Sequence, residues 1–109
     1  MDVRKYKRIS VQYPISFEGN QGPGKGTLFN LSLGGCAIEG AQPVPLGAKL
    51  TLNVHLPSQQ PLQVEQAAVT WTGGKDFGVQ FLRLAPHEQD RLEQILASLQ
   101  QDSHHTGNT

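Results

Sequence analysis

The sequence predicts a mostly β protein, a six-stranded antiparallel β-barrel that carries one C-terminal α-helix. Six short segments alternate apolar and polar residues with the period of a half-buried strand, and turns rich in glycine and proline separate them. From Pro86 the apolar spacing changes to the 3.6-residue period of an amphipathic helix. A chain of 109 residues suits one domain with one core, and closing the strands into a barrel removes exposed sheet edges.

The first three strands are predicted in the N-terminal part of the chain. Strict alternation over residues 10–18 predicts the first strand. Residues 19–26 have turn chemistry throughout and lead into a second strand at 27–32, so the two strands form a hairpin. A glycine pair then ends this strand before a short third strand at 36–39.

The other three strands are predicted at residues 48–56, 62–71 and 77–81. The apolar face changes phase near Gln66, which predicts a β-bulge there, because one extra residue shifts the alternation. Trp71 shares the apolar phase of the later part of its strand and is therefore expected in the core.

The chain is predicted to divide into a leader, a barrel with its helix, and a tail. Residues 1–9 form a polar leader, 10–100 the barrel with a helix at about 86–100, and 101–109 a disordered tail with nothing to bury. The helix is expected to cover the open end of the barrel with an apolar stripe. This stripe consists of Leu92, Ile95, Leu96 and Leu99.

Composition excludes several classes of function. The formal net charge of +0 argues against a protein that coats DNA, RNA or an anionic membrane, and no stretch approaches the roughly 20 apolar residues that span a bilayer. We therefore expect no nucleic-acid partner and no direct membrane insertion. The single cysteine, Cys36, cannot form an internal disulfide, so a cytoplasmic location is expected.

The positive charge of the chain is concentrated in the leader. Four of the nine basic residues lie in the first eight positions, so an anion is expected to bind there. Arg4 and Arg8 are the main candidates, because a guanidinium bonds a phosphate, or the O6 and N7 atoms of guanine, with two parallel contacts. Lys5 and Lys7 are secondary candidates that add Coulomb attraction.

A second group of candidate residues lies 22 positions after Arg8. Asn30 and Ser32 are two apart in a predicted strand, so both face one side, where their oxygens can accept hydrogen bonds from the guanine N1–H and N2–H₂ groups. Gly35 permits either close backbone approach or a positive φ.

Together, Arg4-x-x-x-Arg8 and Asn30-x-Ser32-x-x-Gly35 resemble the two motifs of a PilZ domain. The resemblance covers residues 3–100. The first motif lies just before the first predicted strand and the second motif in the second to third strands, and the six strands and the C-terminal helix also match those of a PilZ domain. It implies a PilZ-like barrel that binds the bacterial second messenger cyclic di-GMP through these five motif residues.

The resemblance also implies a mode of action. A receptor domain that stands alone acts through an unidentified downstream protein in the regulation of motility or biofilm formation. The leader is expected to be mobile without ligand and to become ordered over it. In the PilZ family the residue before the first motif arginine influences whether one ligand or a stacked pair binds, and Val3 at that position predicts one cyclic di-GMP per chain.

Two other functions remain open. The first alternative is a PilZ-like adaptor that binds a pilus-assembly or motility protein without nucleotide, although such members typically lack the arginines. A barrel for single-stranded nucleic acid is less favoured, since aromatic residues make up only 6% of the chain.

Catalysis and metal binding are not predicted. The carboxylates are scattered singly, no histidine pair has metal-ligand spacing, and no nucleophile elbow or P-loop is present. Cys36 lies in a short apolar segment and is expected to be a small buried hydrophobe. The sequence thus predicts a receptor without enzymatic activity, cofactor or metal.

Overall fold

The strands form a closed barrel with the order β1-β2-β3-β6-β5-β4, and every neighbouring pair is antiparallel. This arrangement comes from a computed structural model that describes residues 8–107 and, within them, the side chains of residues 8–99. The predicted all-β barrel with a C-terminal helix is confirmed. Its elements are β1 (Ile9–Gly19), β2 (Gly22–Leu31), β3 (Gly35–Gly40), β4 (Lys49–Val54), β5 (Leu62–Gly73), β6 (Asp76–Arg83) and α1 (Pro86–Gly107).

The hairpin of β1 and β2 is longer than the sequence predicts. Most of the glycine-rich segment assigned to a turn belongs to β2, and Gly19 pairs directly with Gly22. The glycines serve close packing instead: a Cβ on Gly24 would overlap the Phe17 ring, and one on Gly26 would overlap the Glu39 carbonyl oxygen. The glycine-rich composition thus predicts a loop where the structure has a strand whose packing requires residues without side chains.

Two irregularities in β5 change the direction of its side chains. Between β4 and β5, Leu50 pairs with Ala67 and Leu52 pairs with Val64. The single residue between the first two therefore faces the two residues 65 and 66 of β5. This is a β-bulge, and the bulge predicted near Gln66 is confirmed. A second irregularity lies between Val69, which pairs with Val79 of β6, and Trp71, which pairs with Gly78. It moves Trp71 from the phase of the core to the outer face of the barrel.

The helix closes one end of the barrel through the predicted stripe. Leu92, Ile95 and Leu96 are buried in the same apolar cluster as the inward residues of the strands, and Leu99 packs against this cluster. The sequence predicts an end near residue 100 and a disordered tail, but α1 continues to Gly107. Residues 100–106 contain no glycine or proline, the two residues that disfavour a helix most strongly, and α1 ends at Gly107.

The first turn of α1 is fastened to the start of β5 by a buried carboxylate. Glu88 is 5% exposed, accepts a hydrogen bond from the Gln63 N–H at 3.0 Å, and pairs with Arg91 at 2.8 Å. Arg91 also donates to the carbonyls of Gln60 and Pro61, at 2.6 and 3.1 Å.

No helix within residues 8–107 is long and apolar enough to cross a membrane.

Candidate functional site

The turn between β2 and β3 is held together by Ser32. This residue follows the last residue of β2 and is 6% exposed. Its hydroxyl donates a hydrogen bond to the Gly35 carbonyl at 3.2 Å and accepts one from the Gly34 N–H at 3.2 Å. Because a hydroxyl has one donor and two acceptor positions, one acceptor position remains for a ligand. Ser32 therefore fixes the turn as well as facing the candidate site.

At Gly35, β3 lies close against β6. A Cβ at this position would overlap the Val79 carbonyl oxygen, and Gly35 is not among the residues with positive φ. Of the two roles that the sequence allows for this glycine, close approach is the one the barrel requires. The Phe81 N–H donates to the Gly34 carbonyl at 2.9 Å and ties the same turn to β6.

A small cavity of about 220 Å³ lies beside this turn on the outside of the barrel. Arg8, which is exposed, carries the only formal charge among the described residues that line it, so the cavity attracts anions. Its volume is below that of a pocket for a drug-sized ligand and suits one nucleobase or one phosphate group. The described lining residues are Arg8, Ser32, Gly34, Gly35, Cys36, Thr70, Trp71, Val79 and Gln80.

Trp71 forms an aromatic wall of this cavity, and the prediction that it lies in the core is wrong. Its side chain is 37% exposed and lies against Gly78, where a Cβ would overlap the indole ring. The physical reason is the irregularity in β5, which reverses the phase after Val69. The sequence contains a signal for this pairing. If Gly74 and Lys75 form a two-residue hairpin turn, the residues of the two strands pair outward from it, and Trp71 lies opposite a glycine, Gly78.

The structure brings together three of the predicted site residues, Arg8, Ser32 and Gly35. Asn30 is half-buried near the end of β2, opposite Ser10, and does not line this cavity. Arg4, Lys5 and Lys7 lie outside the described residues. Sequence reasoning missed Trp71, and it also missed Gln80, which the β3–β6 pairing places opposite Gly35.

Cys36 contributes little reactivity to the site. It is 6% exposed, as predicted for a small buried hydrophobe, and burial raises the pKa of its thiol. Because the thiolate is the nucleophilic form, a thiol held neutral at physiological pH is unsuited to covalent chemistry.

A larger cavity, of about 530 Å³, lies at the opposite end of β1 and β2. Phe17, Pro23 and Val44 are among its lining residues, and both Glu18 and Lys25 reach it. None of the predicted site residues that the structure describes lines it, and its opposite charges give it no preference for an anion. The smaller cavity beside Ser32 is therefore the candidate site.

A closed six-stranded barrel with a positively charged, aromatic-walled cavity on its outer surface defines a small β-barrel domain with a candidate ligand site. The sequence matches the family described as PilZ domain over residues 2–98. The chain therefore belongs to the PilZ domain family, as the two motifs predict.

Solved structures of PilZ proteins share this fold at low sequence identity. The PilZ domain of YcgR from Escherichia coli with c-di-GMP has a TM-score of 0.79 at 18% identity, with 99% of each chain covered. YcgR from Escherichia coli in complex with c-di-GMP has a TM-score of 0.84 at 20% identity, over 99% of this chain and 50% of that one. The Bacillus subtilis inhibitor of motility, MotI/DgrA, has a TM-score of 0.77 at 20% identity, over 94% of this chain and 53% of that one. The chain spans about half the length of the last two proteins. No curated protein sequence matches the chain.

Proposed function

We propose that this protein is a non-enzymatic receptor for cyclic di-GMP that acts in the cytoplasm. The observation that carries the proposal is the cavity in which the exposed Arg8 of one motif meets Ser32 and Gly35 of the other. Two structures of the same fold support this choice of ligand, since both YcgR structures contain c-di-GMP.

The cavity has the chemistry to hold one guanine, with the adjoining phosphate at the exposed Arg8. Arg8 supplies a planar cation for bidentate phosphate or guanine contacts, and the indole of Trp71 offers a face on which a purine stacks. Ser32 contributes its remaining acceptor position to a base N–H. One half of the ligand occupies the cavity in this arrangement.

The second half of the ligand is assigned to residues around the cavity. Arg4, four positions before Arg8 in the leader, contacts the second phosphate or guanine. Asn30 lies two positions before Ser32 and accepts a hydrogen bond from the second guanine. Lys5 and Lys7 add Coulomb attraction to a ligand with two phosphodiesters.

Signal relay is proposed to pass through the leader. Arg8 is the residue directly before β1, so its contact with the ligand determines where the leader leaves the barrel. Ordering of the leader then creates or hides a surface for a downstream protein. Control of motility as the output is supported by the relative named as an inhibitor of motility, MotI/DgrA.

Calorimetric titration with cyclic di-GMP, cyclic GMP-AMP and GTP tests the proposal. We expect saturable binding of cyclic di-GMP and weaker binding of the other two nucleotides. An absence of binding heat with all three would overturn the receptor and favour the nucleotide-free adaptor. A melting curve of the same sample shows whether the protein is folded during the titration.

A further inference from the structure

The geometry points to Gln80 as the residue that selects guanine in the bound ligand, through a hydrogen bond from the guanine N2–H₂ group to the Gln80 Oε1 atom. This inference rests on the proposed function, and it assigns a role to a residue outside both motifs. Gln80 is exposed on β6 and lines the same cavity as Arg8, Ser32 and Gly35.

The neighbours of Gln80 leave space for a ligand. It pairs with Gly35 of β3 on one side and with Ala68 of β5 on the other. Side chains of directly opposite residues normally crowd one another across a sheet, but one of these neighbours has no side chain and the other has a single methyl group. The amide of Gln80 therefore has room on both sides at the surface of the barrel.

The indole of Trp71, in β5, and the amide of Gln80, in β6, lie on the same outer face of the barrel. Gly78, on which Trp71 rests, and Gln80 are two residues apart, so they point to the same side at a spacing of about 6.8 Å along the strand. A purine that stacks on the indole consequently presents an edge to Gln80. The turn that contains Ser32 adjoins the other side of Gln80, through its Gly35 neighbour.

A neutral amide in this position is suited to reading a base. Arg8 already supplies the charge that a phosphate needs, so the Oε1 atom of the neutral Gln80 amide is available to accept from a donor group on a base edge. The N2–H₂ group is the donor that distinguishes guanine from hypoxanthine and adenine, both of which carry only hydrogen at C2. Gln80 thus provides specificity, and Arg8 provides affinity.

The experiment compares cyclic di-GMP with cyclic di-IMP, which lacks the N2 amino groups, on the wild-type chain and on Gln80→Ala. We expect wild type to bind cyclic di-GMP at least about five- to tenfold more tightly than cyclic di-IMP, because one hydrogen bond from Gln80 provides about this factor. Gln80→Ala should lose this factor for cyclic di-GMP alone, so that the ratio of the two affinities falls by about five- to tenfold. Gln80→Glu keeps an acceptor oxygen and should keep the preference for cyclic di-GMP.

Gln63→Ala is the matched control, because Gln63 is also an exposed glutamine in a strand but lies away from the cavity. Its backbone bond to Glu88 does not depend on its side chain. An unchanged ratio of the two affinities in Gln80→Ala would overturn the role of Gln80 while leaving the receptor function in place. Failure of the wild-type chain to bind any cyclic dinucleotide would overturn both.

Discussion

The Gly35 carbonyl accepts two hydrogen bonds from Ser32, one from its N–H at 2.9 Å and one from its hydroxyl at 3.2 Å. The same hydroxyl accepts the Gly34 N–H, so three contacts within four residues define the shape of the turn. In sequence, the spacing of Ser32 and Gly35 indicates a ligand site. In the structure, the hydrogen bonds of Ser32 with Gly34 and Gly35 also hold the backbone turn that forms one side of this site.

Ser32→Ala is therefore expected to affect stability as well as binding. Without the hydroxyl, the half-buried Gly34 N–H loses its partner, and the free energy of unfolding should fall by about 0.5–1.5 kcal/mol. Urea unfolding measures this loss, and Ser10→Ala, which removes an exposed hydroxyl in β1, serves as the control. Equal unfolding free energies for Ser32→Ala and wild type would show that the turn does not depend on the side chain.

Gly35→Ala should destabilise the barrel through a clash rather than through conformational strain. Its Cβ would overlap the Val79 carbonyl oxygen, and overpacking of this kind costs about 1–3 kcal/mol. Gly73→Ala is a matched control, because a Cβ there meets nothing within 4 Å. Thermal melting should show a lower Tm for Gly35→Ala and little change for Gly73→Ala. Similar melting temperatures for the two variants would contradict the close approach of β3 and β6.

Local patterns predicted the fold well where each strand has one buried and one exposed face. Alternation in β1 and β4 and the 3.6-residue stripe in α1 correspond to buried faces in the barrel. The pattern failed where a strand contains glycines because a neighbouring side chain needs the space. Gly24 is an example: it lies in a strand opposite Phe17 and leaves room for the Phe17 ring, although glycine is typical of a turn.

The candidate site was only partly predictable because its members come from strands far apart in sequence. The motif residues Arg8 and Ser32 were found from their chemistry and spacing. Trp71 and Gln80 join them through the pairing of β5 and β6, and the alternation within β5 alone gives no sign of the one-residue irregularity that turns Trp71 outward. Register, which depends on the whole barrel, decides which side chains meet in the cavity.

Arg8→Ala should remove most of the binding and leave stability nearly unchanged. Arg8 is exposed, so its loss leaves the core intact, whereas each charge-assisted hydrogen bond to the ligand contributes about 1.5–3 kcal/mol. We expect the affinity for cyclic di-GMP to fall by about 100-fold or more, if both guanidinium contacts are lost. Arg83→Ala, which removes an exposed arginine at the end of β6, is the control for net charge. Calorimetry that finds equal affinities in the two variants would reject Arg8 as a ligand contact.

Trp71 provides a direct optical test of stacking, because it is the only tryptophan in the chain. A guanine on the exposed indole should change its fluorescence, and Trp71→Ala should weaken cyclic di-GMP binding by about 1–3 kcal/mol. Trp71→Phe keeps an aromatic face and should lose less. An unchanged emission spectrum at ligand concentrations that calorimetry shows to be saturating would place the ligand away from the indole.

The last prediction concerns the number of ligands, and we expect one cyclic di-GMP per chain. A second dianionic ligand stacked on the first brings two more negative charges into the same site, and Val3, directly before Arg4, supplies no third guanidinium to offset them. Lys5 and Lys7 are point charges that cannot cap a purine stack as a guanidinium plane does. Calorimetric titration should therefore give a stoichiometry near one, and Val3→Arg should raise it toward two at high ligand concentration. Two ligands per wild-type chain would show that the lysines, or another part of the barrel, supply the missing contact.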